Sequence, residues 1–599
     1  MLINGTNFGP AADVPAVWLG RRACGSVQFA QAHSALTCVI PASVGRDLPV
    51  TVTVGGVTSA ASATRFSYAT PVISTVVLSA INEVNASLSA ASTRGGGLLN
   101  ISGQNFPSAI DANVTVTVSL QQTTPVVRNY PCAVVTWVSA QQLLCHTPAG
   151  FGTSLAVVVT VADAAQLAPG NTVNAFAVTV TSSGAGKLFS YDVPVVDALT
   201  YTVAPTLGNA QVTLSGQNFG PDSSAITVSF TGGSSGLPNT ICTLITPSFI
   251  AHQRVVCSSP VGAGSMTVTL SLDGYLNAEA PVTYAYDAPV LAALTYPLTS
   301  TSGGTTLVFD GVNFGPPGVI ASARSVTLGT LICSNIQTFL HTQLQCIAPA
   351  GVGSNLAVSV TIAGRSGTNA SIIFSYERPS VSTLVYAAAS TQGYIPGVTD
   401  TARLRIRGQN FGTLGQATTA YIAGVSCLAT RWVGTQSGLM EIECDVPPGS
   451  GKSHPVTVRV ADQESIPSQS TFDYQIPQIT QLVFDPAGEP TVGGGFLTVQ
   501  GANFGPLNVV GQRNITVGGL LCPPVEWRSH GSLVCSVPAG AGRNLPVRVF
   551  VSDQSNVIVP SGDPALGFFY RAPQVLSISP SGALYSTAGS AVGVASISC

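Results

Sequence analysis

The phrase Gly-x-Asn-Phe recurs six times in this chain, and its spacing limits what the chain can fold into. The copies are Gly5-Thr6-Asn7-Phe8-Gly9-Pro10, Gly103-Gln104-Asn105-Phe106-Pro107, Gly216-Gln217-Asn218-Phe219-Gly220-Pro221, Gly311-Val312-Asn313-Phe314-Gly315-Pro316, Gly408-Gln409-Asn410-Phe411-Gly412 and Gly501-Ala502-Asn503-Phe504-Gly505-Pro506. Their first glycines stand 98, 113, 95, 97 and 93 residues apart. Solenoid repeats are about 20 to 50 residues long, whereas this period is the size of a small domain. At 599 residues the chain is too long for one core, so the phrase marks an array of similar domains. Each copy follows apolar alternation, as in Val212-Thr213-Leu214-Ser215 and Leu404-Arg405-Ile406, and therefore ends a strand. Glycine frees the backbone to turn, Asn closes an Asx-type turn, Phe returns to the core and Gly-Pro opens a loop. Nothing in the phrase is a nucleophile; its role is structural.

A second phrase, Tyr-x-x-Pro, sets the joints: Tyr68 to Pro71, Tyr191 to Pro194, Tyr286 to Pro289, Tyr376 to Pro379, Tyr474 to Pro477 and Tyr570 to Pro573. An aromatic strand closes one unit and the next strand opens two residues later, so the linkers are very short. The units are then 1–68, 69–191, 192–286, 287–376, 377–474 and 475–570, with the start of a seventh at 571–599. Unit one lacks the opening strand of the later units. Unit two carries extra Ala, Ser and Gly around 86–97 and 168–186, read as enlarged loops. Both ends cut through a domain, so the sequence reads as a fragment. Strands such as Met266-Thr267-Val268-Thr269-Leu270-Ser271-Leu272 alternate with period two, and no helical periodicity of useful length occurs. The fold class is all-β, a tandem array of immunoglobulin-like sandwiches forming an elongated rod.

Twelve of the 13 cysteines fall in pairs, one per unit: Cys24 and Cys38, Cys132 and Cys145, Cys242 and Cys257, Cys333 and Cys346, Cys427 and Cys444, and Cys522 and Cys535. Zinc ligation would call for C-x2-C spacing and further ligands nearby, and these are missing. Intradomain disulfides are the economical explanation, and they place the chain outside the cell or in the secretory lumen. Six N-glycosylation sequons, at Asn4, Asn85, Asn100, Asn113, Asn369 and Asn514, agree with that compartment. Asn4 and Asn100 lie on strands entering the turn, where a glycan is hard to place. Cys599 stands where the seventh copy approaches its turn; its partner is expected beyond this chain.

Charged residues make up only 8% of the chain, 22 Lys and Arg against 25 Asp and Glu. Nucleic-acid binding is excluded on that ground, because phosphates need clustered cations. Arg403, Arg405 and Arg407 share one strand face and form a modest solvated stripe. No apolar stretch is long enough to span a bilayer, so any membrane attachment lies in segments outside this chain. His33, His252, His341 and His530 share a position five residues before the second cysteine, where units two and five have Ala140 and Leu439. They are read as polar turn residues rather than as a metal site. Phe29, Trp137, Trp432 and Trp527 recur five residues after the first cysteine and are expected to pack beside the disulfide. Of Glu441, Glu443 and Asp445, the Glu pair shares a strand face while Asp445 follows the cysteine. That is no paired-acid cleft. No nucleophile elbow, metalloprotease helix or phosphate loop occurs. Neither catalysis nor a cofactor or metal is expected.

The opening Pro-x-apolar strand, the Gly-x-Asn-Phe turn, the second cysteine in Leu143-Leu144-Cys145-His146-Thr147-Pro148-Ala149-Gly150 and the closing Phe-x-Tyr strand together resemble IPT/TIG domains. These are immunoglobulin-like sandwiches found in plexins, growth-factor receptors and fibrocystin-like proteins. The cysteine-paired tandem form resembles the extracellular kind. That resemblance implies a non-catalytic structural or adhesion segment of a larger cell-surface protein, binding cell-surface or matrix proteins or glycans. Two alternatives are a receptor ectodomain with one specific module and a polysaccharide-binding accessory region of a secreted enzyme.

Overall fold

The computed structural model describes residues 1–599 except 80–86, 89–90, 108–112, 125, 165–176, 234–235, 277–281, 388, 399–401, 508–512, 557–565, 580–595 and 599. The alternating segments pair into small antiparallel sheets, and two sheets face each other in each unit. Unit four illustrates the plan. One sheet orders Val290–Thr295, Thr306–Val312, Gln343–Ile347 and Ser334–Leu340; the other orders Leu331–Ile332, Arg324–Leu328, Leu356–Ile362 and Arg365–Phe374. Because side chains alternate between faces, Leu307 and Phe309 of one sheet meet Val326, Leu328, Val358 and Val360 of the other, closed off by Phe374 and Tyr376. Each of the six units has such a core.

Unit one is the exception. Its first sheet has three strands, Leu2–Asn4, Ala35–Val39 and Gly25–Gln31. Unit two departs from expectation in another way. The Thr and Val alternation of Val178–Thr181, within the segment read as a loop, pairs as a strand with Leu155–Asp163.

The recurring phrase works differently from the sequence reading. Its first glycine does not make the turn. Gly216, Gly311, Gly408 and Gly501 lie within strands, each opposite the opening strand at a register shift. A Cβ on Gly311 would lie 2.1 Å from the Val290 carbonyl oxygen and 2.7 Å from the Phe314 ring. The glycine is thus needed for close approach. The turn is made by Asn, which adopts a left-handed φ of 61° to 66° in all six copies, a conformation Asn tolerates better than most residues.

The paired cysteines are bonded in all six units: Cys24 to Cys38, Cys132 to Cys145, Cys242 to Cys257, Cys333 to Cys346, Cys427 to Cys444 and Cys522 to Cys535, with Cα atoms 5.5 to 5.8 Å apart. In each bond the second cysteine lies on a strand next to the one that carries the Gly-x-Asn-Phe glycine or, in unit one, ends just before it, as Cys38 lies on Ala35–Val39, Cys444 on Leu439–Asp445 and Cys535 on Ser532–Ser536. In unit four the bond ties the segment passing between sheets, at Cys333, to Cys346 on a central strand. Trp137 and Trp527 sit half-buried against their cores and donate their indole N–H groups to the Phe106 and Gly505 carbonyls of the turn. The closing tyrosine has a fixed partner as well. Tyr68, Tyr191, Tyr286, Tyr376, Tyr474 and Tyr570 donate their hydroxyls to the carbonyls of Pro41, Pro148, Pro260, Pro349, Pro447 and Pro538, at 2.7 to 2.9 Å. Burial pushes the Tyr376 phenol up to about 12, so this proton stays in place at any physiological pH.

Candidate functional site

The tyrosine bond fixes a loop at the C-terminal end of each unit, Pro-x-Gly-x-Gly in units two to six and Pro41-Ala42-Ser43-Val44-Gly45 in unit one, and at the first four joints the residue before its last glycine enters the next unit. Val44 is buried in the core of unit two, Phe151 in that of unit three and Ala263 in that of unit four; Val352 packs against the core of unit five. Beside this plug lies a Thr-x-Gly turn: Thr93-Arg94-Gly95, Thr206-Leu207-Gly208, Thr301-Ser302-Gly303 and Thr391-Gln392-Gly393. Its threonine carbonyl accepts from the loop glycine N–H within the same unit, as Thr301 does from Gly351 at 2.9 Å. The two loops form one end face.

The facing surface of the next unit is the Asn turn. The N–H groups of Thr93, Thr206, Thr301 and Thr391 donate to the side-chain oxygens of Asn218, Asn313, Asn410 and Asn503 across the joint, at 3.1 to 3.3 Å. The amides of Asn313, Asn410 and Asn503 also donate to carbonyls of the linker itself, at Ala288, Arg378 and Ile476. One side chain therefore holds both the preceding unit and the strand that connects it.

The repeated histidine belongs to the same clamp. His252, His341 and His530 bring Nδ1 to 2.8, 3.0 and 3.4 Å from the hydroxyls of Thr93, Thr206 and Thr391. In unit five, where no histidine occupies the shared position, the buried hydroxyl of Thr301 has no hydrogen-bond partner. The expectation of a polar turn residue holds for His252, which adopts a turn conformation; its ring in addition completes an interdomain contact. Sequence reasoning missed the threonine, whose recurrence one unit upstream of each histidine was the available signal.

Burial holds these imidazoles below their ordinary value, aided by Arg94 at His252 and by Arg513 at His530. A base with a depressed folded pKa stabilises the joint fully above its unfolded value of about 6.5 and loses that contribution as pH falls below it. Protonation also leaves both ring nitrogens as donors, so that Nδ1 can no longer accept from the threonine hydroxyl. The expected result is that, between neutral pH and pH about 5, hydrogen exchange measured by NMR, corrected for intrinsic rates, accelerates at the Thr93, Thr206 and Thr391 amides. Thr301 serves as the internal control and should not respond. Equal response at all four would exclude the histidines as the cause.

Further polar contacts lace the joints. Arg22 pairs with Asp163 at 2.8 Å and Arg128 with Asp273 at 2.6 Å; the Ser354 and Lys452 N–H groups donate to Asp462 and Asp553. Asp273, Asp462 and Asp553 stand on hairpins of the following unit, and Asp163 ends the strand Leu155–Asp163 of unit two. Gln463 and Gln554, also on those hairpins, donate to the Tyr376 and Tyr474 carbonyls at 2.9 Å.

The charged residues of unit five form a separate feature. Arg403, Arg405 and Arg407 lie opposite Asp445, Glu443 and Glu441 in strand register. Asp445 is part of the strand Leu439–Asp445 and shares the face of the two glutamates, which corrects the reading that set it apart. Arg407 pairs with Glu441 and Arg431 with Asp445, both at 2.6 Å, and the carboxylates lie buried beneath half-exposed guanidinium groups. The basic stripe is thus an interleaved ladder rather than an open cationic surface. Among the described residues no three metal-ligating side chains gather, and no helix is long and apolar enough to cross a membrane.

Of the sequons, Asn4 and Asn113 are exposed, while Asn100 and Asn514 are half-buried in strands. The Asn100 side chain accepts from Gln142. Asn369 donates its amide to the Leu291 carbonyl at 3.0 Å. Asn85 and Cys599 lie outside the described residues.

The same phrases place the chain among known proteins. A family model for the IPT/TIG domain matches residues 1–68, 83–175, 194–286, 289–376, 396–474 and 477–563. Fibrocystin-L of Mus musculus is 25% identical over 372 residues, covering 60% of this chain and 8% of that protein. Fibrocystin-L of Homo sapiens is 26% identical over 310 residues, covering 51% and 6%. The chain thus spans less than a tenth of the length of these relatives. Among solved structures, the full extracellular region of plexin A4 aligns with 93% of this chain and 55% of its own, at 11% identity and a TM-score of 0.17. With the family matched six times along most of its length, each time across the Asn turn and the paired cysteines, this chain belongs to the IPT/TIG domain family.

Proposed function

We propose that the chain, parted into the units 1–68, 69–191, 192–286, 287–376, 377–474 and 475–570 with a seventh beginning at 571, is a non-catalytic extracellular segment of a larger cell-surface protein. It acts as a stiffened spacer whose repeated modules adhere to cell-surface or matrix proteins or glycans. The observation that carries this reading is the Asn-to-Thr clamp, made at four successive joints with the same atoms. A chain that commits hydrogen bonds of one kind to successive linkers is organised to hold its modules at fixed spacing. The disulfides support an oxidising compartment, and likeness to fibrocystin-L supports a segment of something longer.

Small-angle scattering tests the spacer directly. Six sandwiches of about 10 strand residues each, at about 3.3 Å rise, give a length on the order of 200 Å. Replacing Asn218, Asn313, Asn410 and Asn503 by Ala should leave each core folded, shorten the mean end-to-end distance and broaden its distribution. An unchanged profile would sink the rigid-spacer reading. For adhesion, deleting 69–191 should weaken binding to immobilised cell-surface glycans and proteins without abolishing it, since modules act by multivalency. Outright loss would favour a receptor with its site in unit two.

A further inference from the structure

The joint between units five and six holds a cavity of about 250 Å³, small beside the roughly 300 to 1,000 Å³ of pockets for drug-sized molecules. Its walls come from both units. Ile422, Val425, Pro448 and His454 belong to unit five, and Pro506 and Ser552 to unit six.

Three positions that are apolar at the two preceding joints are polar at this one. The plug position holds Ala263 and then Val352, but here Ser450. The hairpin turn across the joint holds Ala363 and then Ala461, but here Ser552. The residue paired with the first ring of the closing aromatic strand is Met266 opposite Tyr284 and Leu356 opposite Phe374, but here His454 opposite Phe472. Leu48, Leu155 and Leu545 hold that last place in the remaining units, so His454 is the exception in the array.

The polar atoms gathered in this way are not used up by one another. The Ser450 and Ser552 hydroxyls lie 2.8 Å apart across the joint. One of them donates, and the other keeps a proton with no acceptor among the described residues. His454 brings Nε2 to 2.9 Å from the Ser450 carbonyl, so in the neutral ring that nitrogen carries the proton and Nδ1 is left as an acceptor. The same bond ties the imidazole to the residue that bears one of the hydroxyls, which makes donor and acceptor neighbours. Among the described residues no carboxylate, ammonium or guanidinium lines the cavity.

We propose that this cavity binds one neutral sugar ring of a glycan. One sugar hydroxyl donates to His454 Nδ1 while a neighbouring one accepts from the serine pair, and the C–H face of the ring lies against Ile422, Val425 and the two prolines. A charged group would enter without a counter-charge. An aliphatic side chain would leave the imidazole and the hydroxyl unpaired. Because Pro506 and Ser552 come from unit six, the bound ring bridges two modules. The choice of a glycan rests on the adhesive reading above, to which the cavity gives one definite place along the chain.

Saturation-transfer NMR on the full chain tests this, with the methyl glycosides of glucose, galactose, mannose, fucose and N-acetylglucosamine as probes. At least one should take up saturation through its ring protons, whereas glucuronic acid and N-acetylneuraminic acid should not. His454→Leu, Ser450→Val and Ser552→Ala each install a residue that another unit carries at that place, so the unfolding force of units five and six should stay as it was. Each should weaken the sugar at least about tenfold, through a lost hydrogen bond or a filled cavity. No response from any neutral glycoside overturns the proposal, and so does a response that survives all three substitutions. A stronger response from the two acidic sugars overturns it as well. If Ser450→Val abolishes adhesion to immobilised proteins but leaves the sugar bound, the cavity takes a protein side chain and the proposal falls. Adhesion of the whole chain is scored separately. A chain that binds a neutral glycoside here but adheres to no surface overturns the adhesive reading alone, and one that adheres while its cavity takes no sugar overturns the cavity alone.

Discussion

Gly311→Ala is expected to destabilise unit four by about 3 kcal/mol, at the upper end of what overpacking a core costs. The added Cβ would lie 2.1 Å from a backbone oxygen and 2.7 Å from the Phe314 ring, and neither neighbour is the far end of a flexible chain. The opening strand must therefore move away, losing the pairing that runs from Val290 to Thr295. Pulling single full-length molecules reads this out unit by unit: one of the unfolding events should shift to lower force while the others stay. Gly5→Ala supplies the control, since no opening strand presses on Gly5, and its effect should be clearly smaller. Equal losses at Gly5 and Gly311 would mean that the phenylalanine ring alone, and not the carbonyl, demands the glycine.

Replacing Cys242 and Cys257 by Ala should cost unit three about 3 kcal/mol in the chain-entropy account of a loop of this size. The same change has a second signature that does not depend on that account. The disulfide locks a segment with a sequence separation of 15, which at about 3.5 Å per residue adds roughly 50 Å to the released contour once the bond is gone. Both cysteines are buried, so Ala fits the site without stranding a polar group. A contour increment equal to that of the oxidised unit would show that the bond does not restrain this segment.

How much of this is legible in the sequence follows from how far each interaction reaches. Strand alternation and the cysteine pairs are local, with bonded partners at most 17 residues apart, as Cys427 and Cys444 are, so spacing alone exposes them. The first glycine of the phrase is harder, because glycine at a strand end ordinarily signals a turn. Its constraint comes instead from a carbonyl on another strand, which periodicity does not encode. The histidines are easily undervalued for the same reason. Thr93 and His252 are 159 residues apart and belong to different units, so neither unit alone contains the contact. Asp445 follows a cysteine and so looks separate from Glu441 and Glu443, although a spacing of two keeps all three on one face.

The plug residues give the array a polarity. Phe151 belongs by sequence to unit two but is buried in the core of unit three, and Ala263 stands in the same relation to units three and four. When a unit unfolds, its successor loses a piece of its own interior. Its predecessor loses only a lid over a loop that its own tyrosine still holds. Damage therefore spreads more readily toward the C-terminal end than toward the N-terminal end. Under load, the order in which units fail would be set by direction along the chain as well as by the strength of each sandwich.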